Sequence, residues 1–286
     1  MKVVSLPGAF GATVEDVDAG SLDEHEAREV VTSLFEQKVL VIRGQRLDDD
    51  AYARFGRHWG EPIDFFATNQ RDRRHPELIR ITNSPRTPEA FRDGARHWHS
   101  DSSYEAEPAF VTMLYAIEAP ANGNDTLFAD TAAAYEALDA DTKERISDLR
   151  VVHDPRGGSV PLLAEETRGD SSSTELPIVD HPLVTYHPVT GRPALFGFSG
   201  TASGVVGWSN DDAIGLLLRL KQHVLDERFR QVARADEGSI LVWDNYSVVH
   251  CATPTTYSDA DGERRLLHRI STRGFPPALK RTVPTA

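Results

Sequence analysis

The sequence predicts a mainly β protein, an antiparallel sandwich or jelly roll with helices flanking one sheet. Short apolar segments typical of strands dominate the middle and the end of the chain. Amphipathic helices cluster near the start and occur elsewhere as single insertions, and neither a βαβ alternation nor an internal repeat is present. Because no linker divides residues 1–286, we expect a single domain.

The first part of the chain predicts two helices around a buried strand. Residues 21–37 carry apolar side chains at helical spacing, and Ser21 with Glu24 predicts a capping box at the start of this helix. The apolar residues 39–42 predict the strand, and Asp48 marks the start of the second helix. Both helices are expected to lie against a sheet.

The rest of the chain predicts short strands, three helices and one polar loop. The predicted elements are strands near 78–81, 110–117 and 125–128, helices from Thr131 (capped by its own hydroxyl) and from Asp141, a hairpin over 182–198, a helix over 210–225, and strands over 240–243, 248–251 and 266–272. Residues 155–180 are rich in glycine and serine. We expect this segment to be either an irregular connection or an active-site lid.

The acidic composition argues against two classes of partner. A net charge of −13 provides no general basic surface for nucleic acid or for an anionic membrane. No apolar run approaches the roughly 18 residues of a membrane span, and residues 1–20 have the pattern of neither a signal nor a transit peptide. The single cysteine, Cys251, excludes an internal disulfide and a thiolate-rich zinc site. We therefore expect a cytoplasmic protein that meets anionic ligands with local arginines.

His99 and Asp101 form the first half of a candidate metal site. They are two residues apart, where a β-strand would project both side chains from one face. Completed by the distant His250, they match the 2-His-1-carboxylate triad that holds non-haem Fe(II) with open positions. A second pair of this spacing, His75 and Glu77, encloses a proline that suits an irregular loop better than a paired strand.

Two arginines near the C-terminus are candidates for anion binding. Arg265 and Arg269 are four residues apart and would share one face of a strand over 265–271. Two guanidiniums on an inward face require an anion, whereas on an outward face they would bridge to surface carboxylates. His97 would share the face of His99 and could reach the same pocket.

Four segments in order carry a resemblance to a known family: 99–101 (His-Ser-Asp), 124–128 (Asn-Asp-Thr-Leu-Phe), 243–245 (Trp-Asp-Asn) with His250, and 265–269 (Arg-Leu-Leu-His-Arg). This pattern resembles the Fe(II)/2-oxoglutarate dioxygenases of the taurine dioxygenase and 2,4-dichlorophenoxyacetate dioxygenase family. Residues 99–104 are most similar to the aryloxyalkanoate branch. The resemblance implies a double-stranded β-helix (a cupin-like jelly roll), with Fe(II), 2-oxoglutarate and O2 as cofactor and cosubstrates.

The resemblance also implies a role for individual residues. It assigns iron binding to His99, Asp101 and His250, binding of the far carboxylate of 2-oxoglutarate to Thr126 and Arg265, and a pocket wall to Trp243, and it places Arg269 near the substrate anion. Beside the resemblance, substrate binding is also expected of His97, Ser102 and Tyr104. An apolar part of the substrate would meet Phe65, Phe66, Trp98 and Tyr104. The reaction implied is hydroxylation of a small carboxylate-bearing molecule, with ether cleavage for an aryloxyalkanoate, and release of succinate and CO2.

The sequence departs from the family pattern at three places. Asp64 to Phe66 stand where the taurine enzymes carry a sulfonate-binding histidine, which argues against taurine as the substrate. Gly123-Asn124 replaces the usual Gly-Gly before the Asp-Thr pair. The segment between His250 and Arg265 is a few residues longer than usual, which leaves Arg264 as a rival of Arg265.

Two other function classes fit the same residues. The triad could hold zinc and an activated water for hydrolysis, which a requirement for both O2 and 2-oxoglutarate would exclude. The chain could instead bind metal and 2-oxoglutarate as a non-catalytic small-anion sensor, which 2-oxoglutarate-dependent succinate formation would exclude. We expect a small anionic partner, no nucleic acid, no membrane, and a homo-oligomer whose size the sequence does not specify.

Overall fold

Strands from both ends of the chain meet in one large sheet. The computed structural model describes residues 1–64, 72–87, 94–155, 176–198 and 200–280. The strands are β1 (Lys2–Ser5), β2 (Ala12–Glu15), β3 (Val39–Ile42), β4 (Glu61–Pro62), β5 (Ile79–Thr82), β6 (Val111–Glu118), β7 (Asp125–Asp130), β8 (Arg150–His153), β9 (Val179–Pro182), β10 (Val184–Tyr186), β11 (Pro193–Leu195), β12 (Ala202–Val205), β13 (Arg230–Arg234), β14 (Ile240–Asp244), β15 (Val248–Ala252) and β16 (Leu266–Arg273). The helices are α1 (Glu24–Gln37), α2 (Asp49–Gly56), α3 (Thr131–Glu136), α4 (Ala140–Ile146) and α5 (Asn210–Val224).

The large sheet has eight strands in the order β1-β2-β3-β14-β6-β16-β4, with β5 also paired to β16. Strands β2 and β3 run parallel. Strand β14 pairs antiparallel with β3 on one side and with β6 on the other, and β6 pairs antiparallel with β16. A second sheet, β13-β7-β15, is antiparallel throughout. Smaller sheets are formed by β12-β8-β9 and by β10-β11.

Strand β14 shows how the large sheet lies between two apolar layers. Its alternate residues Ile240 and Val242 pack in a cluster with side chains of α1 and α2. Leu241 and Trp243 point the other way and pack with β7, β13 and β15 of the second sheet. This alternation with a period of two is expected of a strand that is buried on both faces. The two facing sheets and the flanking helices confirm the predicted mainly β architecture.

The predicted capping box of α1 is wrong by two residues. Asp23, not Ser21, is the N-cap: its carboxylate accepts from the N–H groups of His25 and Glu26, and the Glu26 side chain accepts from Asp23 N–H. A carboxylate can accept both bonds at once, so it outcompetes the nearby hydroxyl. Ser21 instead donates to Asp18 Oδ2.

The starts of α3 and α4 need the same correction. Asp130 caps α3 by accepting from Ala133 N–H at 2.8 Å, while the hydroxyl of Thr131 has no hydrogen-bond partner among the described residues. Helix α4 begins at Ala140 rather than Asp141, because Asp139 accepts from Thr142 N–H and is its cap. In each helix an aspartate just before the predicted start satisfies an otherwise unpaired N–H of the first turn.

Two further expectations concern residues that the structure does not describe. Most of the segment 155–180, expected to be a connection or a lid, lies outside the described residues, as do Phe65 and Phe66. Within the described part, no helix combines the length and apolar character that crossing a bilayer would need.

Candidate functional site

Backbone pairing brings His99 and His250 side by side. The N–H of each residue donates to the carbonyl oxygen of the other at 2.9 Å, in an isolated antiparallel bridge. The strand expected over 99–101 is absent: only His99 pairs, and the chain enters a turn at Asp101 in which Ser102 has a φ of 53°. The turn, and not the alternation of a strand, therefore places the carboxylate near the imidazoles.

The three predicted metal ligands form one compact group. Ligand atoms of His99, Asp101 and His250 all lie within 4.8 Å of one another. Asp101 Oδ1 is 3.8 Å from His99 Nε2, and Asp101 Oδ2 is 3.7 Å from His250 Nε2. Within the described ranges, no other group of three histidine, cysteine or acidic side chains could hold a metal ion. The rival residue His75 instead lies 2.8 Å from Asp50 at the surface.

The protonation states of this group suit a divalent metal. Burial lowers the pKa of His250 to about 3 and also lowers the pKa of His99, so both imidazoles are neutral at pH 7. His99 Nδ1 lies 2.6 Å from the carbonyl oxygen of His97, an arrangement in which Nδ1–H donates and Nε2 keeps its lone pair. Burial is the largest single influence on Asp101 and would raise its pKa, but the charge of Arg269 together with His250, His99 and Thr112 outweighs burial, and the net pKa is lowered.

Two neutral imidazoles and one ionised carboxylate are the donor set that Fe(II) accepts in a facial triad. Asp101 Oδ2 is buried and has no hydrogen-bond partner among the described residues. A bound cation would remove the cost of this unpaired buried oxygen. The side chains that are present therefore fit the metal that the sequence predicts.

A ring of hydrogen bonds holds Asp101 from two sides. Its N–H donates to Asn245 Oδ1 at 3.2 Å, and Asn245 Nδ2 donates to Thr112 Oγ1 at 3.0 Å. The hydroxyl of Thr112 is 2.9 Å from that of Ser271. Arg269 Nη2 closes the ring by donating to Ser271 Oγ at 3.1 Å and to Asp101 Oδ1 at 2.7 Å. The sequence interpretation missed the contacts of Asn245, Thr112 and Ser271, since nothing in a linear pattern reports them.

Trp243, the predicted pocket wall, borders the candidate metal group. Its ring centroid is 4.6 Å from that of His250, and its Nε1–H donates to Asn245 Oδ1 at 3.1 Å. The side chain is almost completely buried between the large sheet and β7. It therefore supports both a candidate ligand and the side chain that holds the Asp101 backbone.

The two rival arginines have different surroundings. Arg264 is exposed and forms an ion pair with Glu118, with Nε 2.8 Å from Oε2. Arg265 Nε is shielded from solvent and has no hydrogen-bond partner among the described residues. Burial lowers the pKa of Arg265 to about 10, so the guanidinium stays charged at neutral pH. A charged guanidinium whose Nε is buried and lacks a described partner favours Arg265 over Arg264 as the anion-binding residue.

The remaining predicted site residues differ in their surroundings. Thr126 is buried on β7 opposite Ala252, two positions beyond His250 on β15. Burial raises the pKa of the Tyr104 hydroxyl, and Ser102 lies in the turn just after Asp101. The shared-face argument for His97 fails without a strand, and its carbonyl oxygen instead accepts from His99. Trp98 packs on a second apolar cluster built around α5.

Comparison with known proteins adds independent findings. The family described as "Taurine catabolism dioxygenase TauD, TfdA family" matches residues 2–271. An alpha-ketoglutarate-dependent 2,4-dichlorophenoxyacetate dioxygenase of Cupriavidus pinatubonensis is 34% identical over 266 residues, which cover 87% of this chain and 92% of that protein. An alpha-ketoglutarate-dependent sulfate ester dioxygenase of Pseudomonas putida is 28% identical, over 97% of this chain and 91% of that protein.

Solved structures show the same relationship. AAD-2 in complex with Mn(II) and N-oxalylglycine superposes with a TM-score of 0.79 at 27% identity, and the match covers 97% of this chain and 100% of AAD-2. A taurine dioxygenase from Burkholderia xenovorans gives a TM-score of 0.78 at 27% identity, covering 96% and 89% of the two chains. These neighbours confirm the predicted double-stranded β-helix, a cupin-like jelly roll.

Proposed function

The chain belongs to the TauD/TfdA family of taurine catabolism dioxygenases, and we propose that it hydroxylates a small organic molecule that carries a carboxylate. It is an Fe(II)- and 2-oxoglutarate-dependent dioxygenase, so succinate and CO2 leave with the oxidised product. Membership of the family decides against the zinc hydrolase and the non-catalytic sensor. What remains to be assigned is the role of each residue and the class of substrate.

His99, Asp101 and His250 hold the iron in this proposal. The observation that carries it is their buried grouping within 4.8 Å, with neutral imidazoles and a carboxylate whose Oδ2 lacks a partner among the described residues. When bound, the metal supplies the activation of O2, which no amino-acid side chain can perform. The protein holds the ligands in their metal-binding protonation states and shields them from water. Trp243 and Asn245 keep His250 and Asp101 in place.

Arg265 and Thr126 bind the far carboxylate of 2-oxoglutarate. Support comes from the guanidinium of Arg265, which is charged and has no other described partner for its Nε. A charge-assisted hydrogen bond to a carboxylate satisfies such a group. The hydroxyl of Thr126 adds a donor from the neighbouring strand β7.

Arg269 also helps to bind the carboxylate of the substrate. Its Nη2 is engaged with Asp101 and Ser271, while its buried Nε has no hydrogen-bond partner among the described residues. Arg269 Nη2 thus stabilises a candidate iron ligand, while Nε is left to bind the carboxylate of the substrate. Ser102, Tyr104 and His97 complete the substrate side of the pocket in this proposal.

The apolar body of the substrate is an aryl or a long aliphatic group. The relative from Cupriavidus pinatubonensis is named for 2,4-dichlorophenoxyacetate, in which an aryl ether carries a carboxylate. Phe65 and Phe66 stand in the sequence where the taurine enzymes place a sulfonate-binding histidine. With an aryloxyalkanoate, hydroxylation of the carbon beside the ether oxygen gives a hemiacetal that collapses with cleavage of the ether.

Wider features of the protein are part of the same proposal. Residues 1–286 form one domain, which is supported by the pairing of β1, β2 and β3 with β14, β6 and β16 in a single sheet. The protein acts in the cytoplasm as a homo-oligomer and binds neither nucleic acid nor membrane. The net charge of −13 and the lone Cys251 support this setting.

A panel of paired substrates tests the proposal. Each acid is compared with its neutral amide under Fe(II), ascorbate, 2-oxoglutarate and air, with succinate release and product formation measured together. We expect turnover only with O2 and 2-oxoglutarate, and a higher kcat/KM for the acid. Equal kcat/KM for acid and amide would contradict the carboxylate assignment, and product formation without 2-oxoglutarate would contradict the reaction class.

A further inference from the structure

Asn83 holds the loop that leads into Arg265. This residue follows β5, and its side chain is 2% exposed. Its Nδ2 donates to the carbonyl oxygens of Thr256 at 2.7 Å and Glu263 at 2.9 Å. Its Oδ1 accepts from Arg265 N–H at 2.7 Å. One buried amide thus binds the loop 253–264 near its start and its end, and also binds the residue that follows it.

The backbone of Asn83 strengthens this attachment. Its N–H donates to the carbonyl oxygen of Arg265 at 3.4 Å, and its carbonyl oxygen accepts from Ser258 N–H at 3.2 Å. Asn83 and Arg265 therefore bind each other in both directions, before the regular ladder of β16 begins at Leu266. The position of the Arg265 backbone depends directly on Asn83.

The first part of the loop is attached to the strand that carries Thr126. Thr253 N–H donates to the carbonyl oxygen of Asp125 at 3.0 Å, and the hydroxyl of Thr255 donates to that of Gly123. Gly123 has a φ of 71°, and a Cβ there would lie 2.8 Å from the carbonyl oxygen of Pro254. Only glycine allows this close approach. The loop therefore spans the two segments that carry Thr126 and Arg265.

The guanidinium of Arg265 needs such backbone support. Its Nε has no hydrogen-bond partner among the described residues, so no described side chain fixes its direction through that atom. A long side chain reaches a carboxylate with the correct geometry only if its backbone is held in place. Asn83 supplies this constraint from outside the pocket, as residues behind a ligand-binding side chain commonly do.

We propose that Asn83 is a positioning residue for 2-oxoglutarate, acting through the loop 253–264 and the backbone of Arg265. This inference rests on the proposed function, in which Arg265 binds the far carboxylate of the cosubstrate. Asn83 itself touches neither cosubstrate nor substrate. Its loss moves or loosens Arg265 and leaves the metal group of His99, Asp101 and His250 intact.

Gln45 provides a matched control. It is also a buried amide with three hydrogen bonds to backbone: Oε1 accepts from Ala19 N–H at 2.8 Å, and Nε2 donates to the carbonyl oxygens of Val17 at 2.8 Å and Arg43 at 2.6 Å. None of these partners belongs to the loop 253–264. Gln45→Ala and Asn83→Ala therefore remove the same kind of bond at two places.

The experiment is an anaerobic titration of the Fe(II)-loaded protein with 2-oxoglutarate, followed by the visible absorption of the complex. Iron affinity is measured separately by chelator competition, and hydrogen exchange is measured over 253–265. We expect Asn83→Ala to bind 2-oxoglutarate about tenfold more weakly and to exchange faster in this loop, with unchanged iron affinity. Gln45→Ala should bind 2-oxoglutarate like the unaltered protein. If Asn83→Ala does not fold, Asn83→Ser is measured by the same criteria.

The outcomes separate this inference from the proposed function. Unchanged 2-oxoglutarate affinity in Asn83→Ala, with a large loss in Arg265→Ala, would overturn the role of Asn83 and leave that of Arg265. Unchanged affinity in Arg265→Ala would overturn both. Equal losses in Asn83→Ala and Gln45→Ala would show that general destabilisation, and not positioning, weakens binding.

Discussion

Arg269 Nη2 donates a 2.7 Å hydrogen bond to Asp101 Oδ1. The residue predicted to bind the substrate is therefore also the charge partner of a predicted metal ligand. The bond holds one carboxylate oxygen, and the charge of Arg269 is the largest of the contributions that lower the pKa of Asp101 against the effect of burial. The other oxygen, Oδ2, has no hydrogen-bond partner among the described residues. The substrate binding proposed for Arg269 and the metal binding proposed for Asp101 would thus be connected through one guanidinium.

Removal of any candidate metal ligand should abolish iron binding and turnover. His99→Ala, Asp101→Ala and His250→Ala each leave two ligands, which is too few to hold Fe(II) facially. Iron binding is measured by chelator competition, and folding by circular dichroism. His223→Ala, which removes a histidine bound to the carbonyl oxygen of Ala134, is the control and should retain activity. Near-native turnover in any of the three ligand variants would refute the assignment.

Arg265→Ala should weaken 2-oxoglutarate binding by at least about tenfold, because a lost charge-assisted hydrogen bond costs roughly 1.5–3 kcal/mol. Arg264→Ala should have no such effect, since Arg264 forms its ion pair with Glu118 at the surface. Calorimetry on the Fe(II) protein without O2 measures both affinities. A larger loss for Arg264→Ala would show that the anion-binding arginine is the preceding residue.

Asn245→Ala should lower iron affinity by about 10- to 100-fold, because it opens the ring of hydrogen bonds around Asp101. Asn124→Ala is the matched control: Asn124 is also buried and donates to the carbonyl oxygen of Ala235, outside that ring. Both variants are compared by chelator competition and by thermal unfolding. Equal iron affinities in the two variants would contradict a role for Asn245 in holding the carboxylate.

His153 should make the metal-free protein sensitive to mild acid. Burial, helped by His181, lowers its pKa from 6.5 to about 3, so the unfolded chain binds the proton more readily. The free energy of unfolding should therefore fall as pH drops from about 6.5 to 5, by up to about 1.4 kcal/mol per pH unit for this group. Urea unfolding of His153→Asn should show a shallower slope than the unaltered protein. The exposed His25→Asn variant is the control, and equal slopes in all three proteins would exclude this contribution.

The three predicted metal ligands lie together in the structure, although the local structure predicted around His99 and Asp101 is wrong. The spacing of His99 and Asp101 suggested a strand, whereas a single bridge to His250 and a turn bring the three side chains together. The spacing was informative because it reflects the ligand set, which several backbone shapes can present. The assignment of iron binding to these residues stays a prediction until it is measured.

One strand and two buried asparagine contacts are not predicted by the sequence, and each for a physical reason. Strand β13 exposes Arg230 and the apolar Val232 and buries Gln231 and Ala233, so it lacks the apolar pattern that predicts strands. The positions of Asn83 and Asn245 are decided by partners more than 100 residues away in sequence: 182 residues separate Asn83 from Arg265. Local patterns contain no information about such contacts. The long helices α1 and α5 and the buried strand β3 were predicted because their apolar spacing is itself local.

The hydrogen bond between Asp101 N–H and Asn245 Oδ1 joins residues 144 positions apart in the chain. Closing a loop of that length costs chain entropy that only the packed sheets can offset, so the metal group cannot assemble in an early, locally ordered intermediate. Its ligands meet only when β15, which carries His250, pairs with β7 and with His99. A metal ion bound to the assembled group would therefore stabilise the folded chain, and the free energy of unfolding would rise with the logarithm of the metal concentration.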